Sequence, residues 1–102
     1  MAPIPRAYPG GQFRADIASV TDLVWFAYGV RSDLIVGGSD WVRQDRFEIN
    51  AKAANDVPVD QIKLMVRSLL LDRFKLVTHT EWREMQVLAL VRAVPTDRWV
   101  RI

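Results

Sequence analysis

The sequence predicts an α+β domain in which two helices pack on one face of a mainly antiparallel sheet, in the order β-α-β-β-α-β-β with a candidate short C-terminal strand. Three observations carry this expectation. Phe47, Ile49, Ala51 and Ala53 alternate with Arg46, Glu48, Asn50 and Lys52, the period-two pattern of a strand with one buried and one wet face. After Pro58, which suits a first helical turn, Ile62, Met65, Val66, Leu69 and Leu70 recur at helical spacing while Asp60, Lys63 and Arg67 face outward. Residues 75–83 and 86–94 then form two strand-like runs joined near Glu84-Met85, as an antiparallel hairpin requires.

The other elements follow in chain order. Residues 1–11 hold three of the five prolines and end in Pro9-Gly10-Gly11, which predicts an extended arm closed by a turn. The folded domain is then 12–102. From Gln12, Phe13, Ala15 and Ile17 alternate with Arg14 and Asp16 as a half-buried strand. Ser19 and Asp22 stand at capping-box spacing ahead of Val20, Leu23, Val24, Ala27 and Tyr28, so a helix begins there, and Gly29 is placed to end it. Residues 34–36 make a short apolar strand running into Gly37-Gly38, and Asp40-Trp41 follows as a loop whose indole covers one end of the core. Beyond Pro95, residues 99–102 supply the candidate last strand.

Size and composition narrow the function. A chain of 102 residues, half of them hydrophobic and a quarter charged, is one globular domain. Its net charge is only +2, with acids and bases interleaved, and the nearest basic group, Arg92 with Arg98 and Arg101, is thin. Nucleic acid is therefore disfavoured as a partner, because phosphate-binding surfaces concentrate their cations. No apolar run approaches the ~18 residues of a membrane span, and the prolines of the arm interrupt any signal-peptide core, so the sequence as written reads as soluble and cytoplasmic. With no cysteine, disulfides, thiolate zinc sites and a cysteine nucleophile are excluded, and no cofactor is expected.

Candidate chemistry centres on the single histidine. On a strand, His79 and Glu81 share a face, and Glu84 can approach around the turn. That arrangement would allow a small hydrolase-like enzyme with His79 as base or ligand, aided by Glu81 or Glu84. The alternative is that Glu81, Arg83 and Glu84 are solvated charges and His79 a surface residue. A metal site is not expected, since catalytic zinc commonly takes two or three histidines. Gly10-Gly11 and Gly37-Gly38 match no phosphate-binding fingerprint. Among the four tryptophans, Trp25 falls in an apolar helix and reads as core, whereas Trp41, with neighbouring Asp40, and Trp82 are the candidate ligand or partner contacts.

A long pattern ties these landmarks together. It comprises Pro9-Gly10-Gly11-Gln12-Phe13, Ala27-Tyr28-Gly29-Val30, Gly37-Gly38 before Trp41, Asp45-Arg46-Phe47-Glu48-Ile49, and Ala51-Lys52-Ala53. It continues with Leu69-Leu70, Asp72-Arg73-Phe74-Lys75-Leu76, His79, Glu81, Arg83-Glu84-Met85, Val87 and Ala89-Leu90. In these positions the chain resembles a family of soil-associated bacterial proteins of unknown function, found as large paralogue sets in acidobacteria. More faintly, the first strand and helix resemble the short N-terminal domain of secretins and TonB-dependent receptors. The resemblance transfers no catalytic residue. It implies export to the cell envelope and a sensing or assembly role there, with protein or peptide contact favoured over catalysis. Relative to that pattern the chain reads as truncated, lacking an export signal and an upstream strand. A sheet edge bared in this way would be filled by residues 99–102 or by a second protomer, giving a homodimer. The expected function is thus a non-catalytic binding or interaction module, the hydrolase being the alternative.

Overall fold

The computed structural model describes residues 5–96 and 99–101. Met1–Ile4 of the arm and Ile102 of the candidate last strand lie outside the described residues. The chain is α+β, with strands β1 (Arg6–Tyr8), β2 (Gln12–Ala18), β3 (Ile35–Gly37), β4 (Phe47–Lys52), β5 (Val77–Trp82), β6 (Gln86–Arg92) and β7 (Trp99–Arg101). The helices are α1 (Val20–Tyr28), α2 (Trp41–Gln44) and α3 (Val59–Phe74), with one 3-10 turn at Ser32–Leu34.

The strands form two sheets where the sequence predicted one. The first has the order β1-β2-β4-β7, and the second β3-β6-β5. β1-β2-β4 and β5-β6 are antiparallel, whereas β4-β7 and β3-β6 are parallel. Parallel pairing needs a long crossover, so these neighbours are far apart in sequence and no local pattern announces them. Within the arm, Arg6–Tyr8 pairs with β2, placing Ala7 opposite Phe13. The Pro9-Gly10-Gly11 turn that reverses the chain is held from outside, Ala53 N–H donating to Gly11 O at 2.8 Å. Residues 99–101 pair with β4 and take up one edge of the first sheet.

Local chemistry sets the helix ends. Ser19 caps α1 in a closed box: Ser19 Oγ accepts from Asp22 N–H at 3.2 Å, and Asp22 Oδ2 accepts from Ser19 N–H at 3.1 Å. Gly29 ends the helix in the left-handed region at φ 66°, which costs glycine nothing. α3 runs one turn past Leu70 and buries Phe74, ending with Lys75 at φ 53° and Leu76 N–H donating to Leu70 O at 3.1 Å.

One core joins the layers. Phe13, Ala15, Phe47, Ile49 and Ala51 line the inner face of the first sheet against α1 and α3, and Ile35, Leu88 and Leu90 of the second sheet close the same cluster. Each fully buried large side chain contributes about 1.5–3 kcal/mol, ample to fix which face of each strand turns inward.

Candidate functional site

Trp25, expected in the core, is instead exposed on α1, whose buried stripe is Val20, Leu23, Val24 and Ala27. The two tryptophans singled out as contacts have different surroundings. The segment expected as a loop at Asp40-Trp41 instead starts the short helix α2. From there the half-buried Trp41 ring stacks on Phe74 at 6.5 Å between centroids and meets Phe47 edge-on at 6.4 Å. Phe47 and Phe74 are themselves in edge contact at 5.0 Å, so the three rings form a unit that covers one end of the core. Asp40 stands exposed at the head of α2, its carbonyl accepting from Arg43 and Gln44 N–H. Trp82, by contrast, is 79% exposed at the end of β5.

The β5–β6 hairpin sorts the remaining candidates by face. Thr78, Thr80 and Trp82 oppose Leu90, Leu88 and Gln86, so they share the face that carries the core residues Leu88 and Leu90. His79 and Glu81 oppose Ala89 and Val87 on the outer face. There His79 Nε2 lies 3.2 Å from Glu81 Oε2, with Arg83 3.8 Å from the other carboxylate oxygen. The site is open: His79 is 56% and Glu81 37% exposed. Glu84 stands exposed in the 83–85 turn, and among the described residues no group of three or more His, Cys, Asp or Glu is placed to hold a metal ion. The structure thus brings His79 and Glu81 into side-chain contact on a solvated strand, an arrangement that contributes little to stability.

What the sequence did not single out is the hydrogen-bonding edge of β5. Among the described residues, no strand pairs with the outer side of β5. The opposite edge of the same sheet is blunted, because Arg43 donates to the carbonyls of Gly37 at 2.9 Å and Ile35 at 3.4 Å along β3. Among the described residues, the edge strands β1, β3 and β7 are three residues long and β5 is six. β5 also carries neither lysine nor proline, the usual guards of an edge. Its only irregularity, the register shift between Val77 and Thr78, falls at one end and leaves Thr78–Trp82 regular. Beside it, between the end of α1 and the hairpin, lies a groove of about 350 Å³ lined by Tyr28, Val30, Leu34 and Leu88, with Thr80 and Gln86 on the hairpin side.

Comparison with known proteins adds a family. The model of a family described as a protein of unknown function (DUF3738) matches residues 21–98. The chain belongs to this DUF3738 family. The match runs from the first turn of α1 past the end of the β5–β6 hairpin and includes Asp40, Trp41, His79, Glu81, Trp82 and Glu84. No curated protein and no solved structure matches the chain. Among the described residues of this DUF3738 chain, no helix is long and apolar enough to cross a membrane.

Proposed function

We propose that this DUF3738 chain is a non-catalytic interaction module that binds an extended segment of protein by adding it as a strand to β5. The observation that carries the reading is the outer edge of β5, five regular residues, Thr78–Trp82, without lysine or proline and ending in the exposed Trp82. An edge of that kind offers a row of N–H and C=O groups to an incoming strand, and those main-chain bonds supply affinity whatever the partner's sequence. Side chains then supply selection: alternate residues of an added strand stand beside Thr78, Thr80 and Trp82 on one face and beside His79 and Glu81 on the other. The apolar groove next to Thr80 is placed to take a side chain from such a strand. An envelope-side sensing or assembly role, in line with the resemblance to exported acidobacterial proteins and to the secretin and TonB short N-terminal domain, belongs to the same proposal.

The test is selection of peptides from a displayed library against the chain, followed by amide exchange of the bound complex. Extended peptides that protect backbone amides at residues 77–82 support the module. Peptides that bind while protecting other elements, or a library that yields none, overturn it.

The 3.2 Å contact of His79 with Glu81 supports a second reading, a small hydrolase-like enzyme with His79 as base. Under it, His79→Ala abolishes turnover of an ester or peptide substrate with the fold intact; under the module, no turnover exists to lose.

A further inference from the structure

We infer that β5 binds β5 of a second copy of this chain, antiparallel about a two-fold axis that passes beside Thr80. This rests on the reading of β5 as a binding edge and goes further by naming the occupant and its register.

Symmetry restricts the choices. In an antiparallel pair the two-fold axis stands perpendicular to the sheet, so each face of one copy continues as the same face of the other. Paired residues must therefore belong to the same face, and the axis must pass between a residue and its own copy. Along the regular part of β5, Thr78–Trp82, this leaves an axis at any of the five residues, and one at Trp82 pairs only Trp82 within the strand, since Glu81 then meets Arg83 in the turn.

Charge then decides. An axis at His79 sets imidazole against imidazole and leaves each Glu81 opposite Val77 without a polar partner, and an axis at Glu81 sets carboxylate against carboxylate. Like charges directly opposite destabilise a strand pair. An axis at Thr78 pairs only Val77 to His79 and leaves Trp82 outside. An axis at Thr80 places each His79 opposite Glu81 of the second copy, twice by symmetry, and extends the His79–Glu81 contact already made within one chain at 3.2 Å. On the other face, Thr80 meets Thr80, and each exposed Trp82 ring lies across Thr78 of the second copy. Five residues pair from each chain, and the two three-stranded sheets join into one of six strands.

Because the chain has no cysteine, single-cysteine variants report the register directly. Across an axis at Thr80, the two Cβ atoms of residue 80 lie about 4.5–5.5 Å apart, whereas those of residue 79, or of residue 81, are diagonal at roughly 7–8 Å. Thr80→Cys, His79→Cys and Glu81→Cys are each oxidised mildly and assayed for covalent dimer, alongside light scattering of the unmodified chain over a wide concentration range. The expected result is a concentration-dependent dimer of the unmodified chain, with Thr80→Cys cross-linking at least about tenfold faster than the other two. Faster cross-linking at residue 79 or 81 overturns the register. A chain that stays monomeric to millimolar concentration overturns self-pairing, and the peptide selection then decides separately whether β5 binds other strands.

Discussion

Replacing Trp41 by alanine separates a residue that covers the core from one that contacts a ligand. The indole is half-buried and touches two rings, stacking on Phe74 and meeting Phe47 edge-on. Taking roughly 100 Å² of apolar surface lost at ~25 cal/mol/Å² gives about 2.5 kcal/mol. Loss of two ring contacts adds to this, and slumping of Phe47 and Phe74 into the space relieves part of it, so the expected cost is about 2–3 kcal/mol. In urea that lowers the unfolding midpoint by roughly 1–2 M for a chain of this size, with the slope unchanged. Trp82→Ala is the internal control: at 79% exposure its removal should move stability by less than about 0.5 kcal/mol. Equilibrium unfolding followed by far-ultraviolet circular dichroism, which does not depend on the tryptophans themselves, measures both. A Trp41→Ala cost below about 0.5 kcal/mol, or equal costs for the two variants, would refute the argument and return Trp41 to the surface contacts.

Two further substitutions test the backbone and cap chemistry. Gly37 sits at φ 81°, and a Cβ there would meet Leu90 O at 2.8 Å across the β3–β6 ladder, so Gly37→Ala should cost about 2 kcal/mol or more by thermal or urea unfolding. Ser19→Ala opens the capping box by removing the oxygen that accepts from Asp22 N–H; because Ser19 is buried, about 1 kcal/mol should be lost, with amide exchange rising first at the start of α1.

Most secondary elements were legible because their signals are local. The Ser19 box, the Gly29 stop, the alternation through Phe47, Ile49 and Ala51, and the apolar stripe of α3 each declare themselves within a few residues. The failures share a cause. α2 has only four residues and too little length to show a period. The division into two sheets depends on β3 pairing with β6 and β4 with β7, partners separated by long stretches of chain, and alternation reports only which face of a strand is buried, never which strand lies beside it. The candidate site was legible to the same degree. His79 and Glu81 share a face because they are two residues apart on a strand, and their 3.2 Å contact follows from that spacing. That β5 is an edge follows only from strand order.

On the proposed reading, residues on β5 bear on recognition rather than on the core. A solvated edge strand that must only avoid aggregation needs a guard, a lysine, a proline or a mid-strand bulge, and such guards act against every incoming strand alike. The segment Thr78-His79-Thr80-Glu81-Trp82 has none of these, yet it is not permissive. Threonine favours strand geometry without adding an apolar face, while a cation-forming and an anionic side chain two residues apart reward one pairing register and penalise those on either side. Selectivity of that kind costs the folded chain little, because the side chains involved are exposed and make few contacts within it. The same property makes it separable by mutation. Exchanging the two residues, as His79→Glu with Glu81→His, keeps every cross-strand opposition of the Thr80 register and should preserve self-pairing, whereas Glu81→Lys alone replaces the carboxylate that accepts from His79 with a second donor and should weaken it at least about tenfold without unfolding the domain.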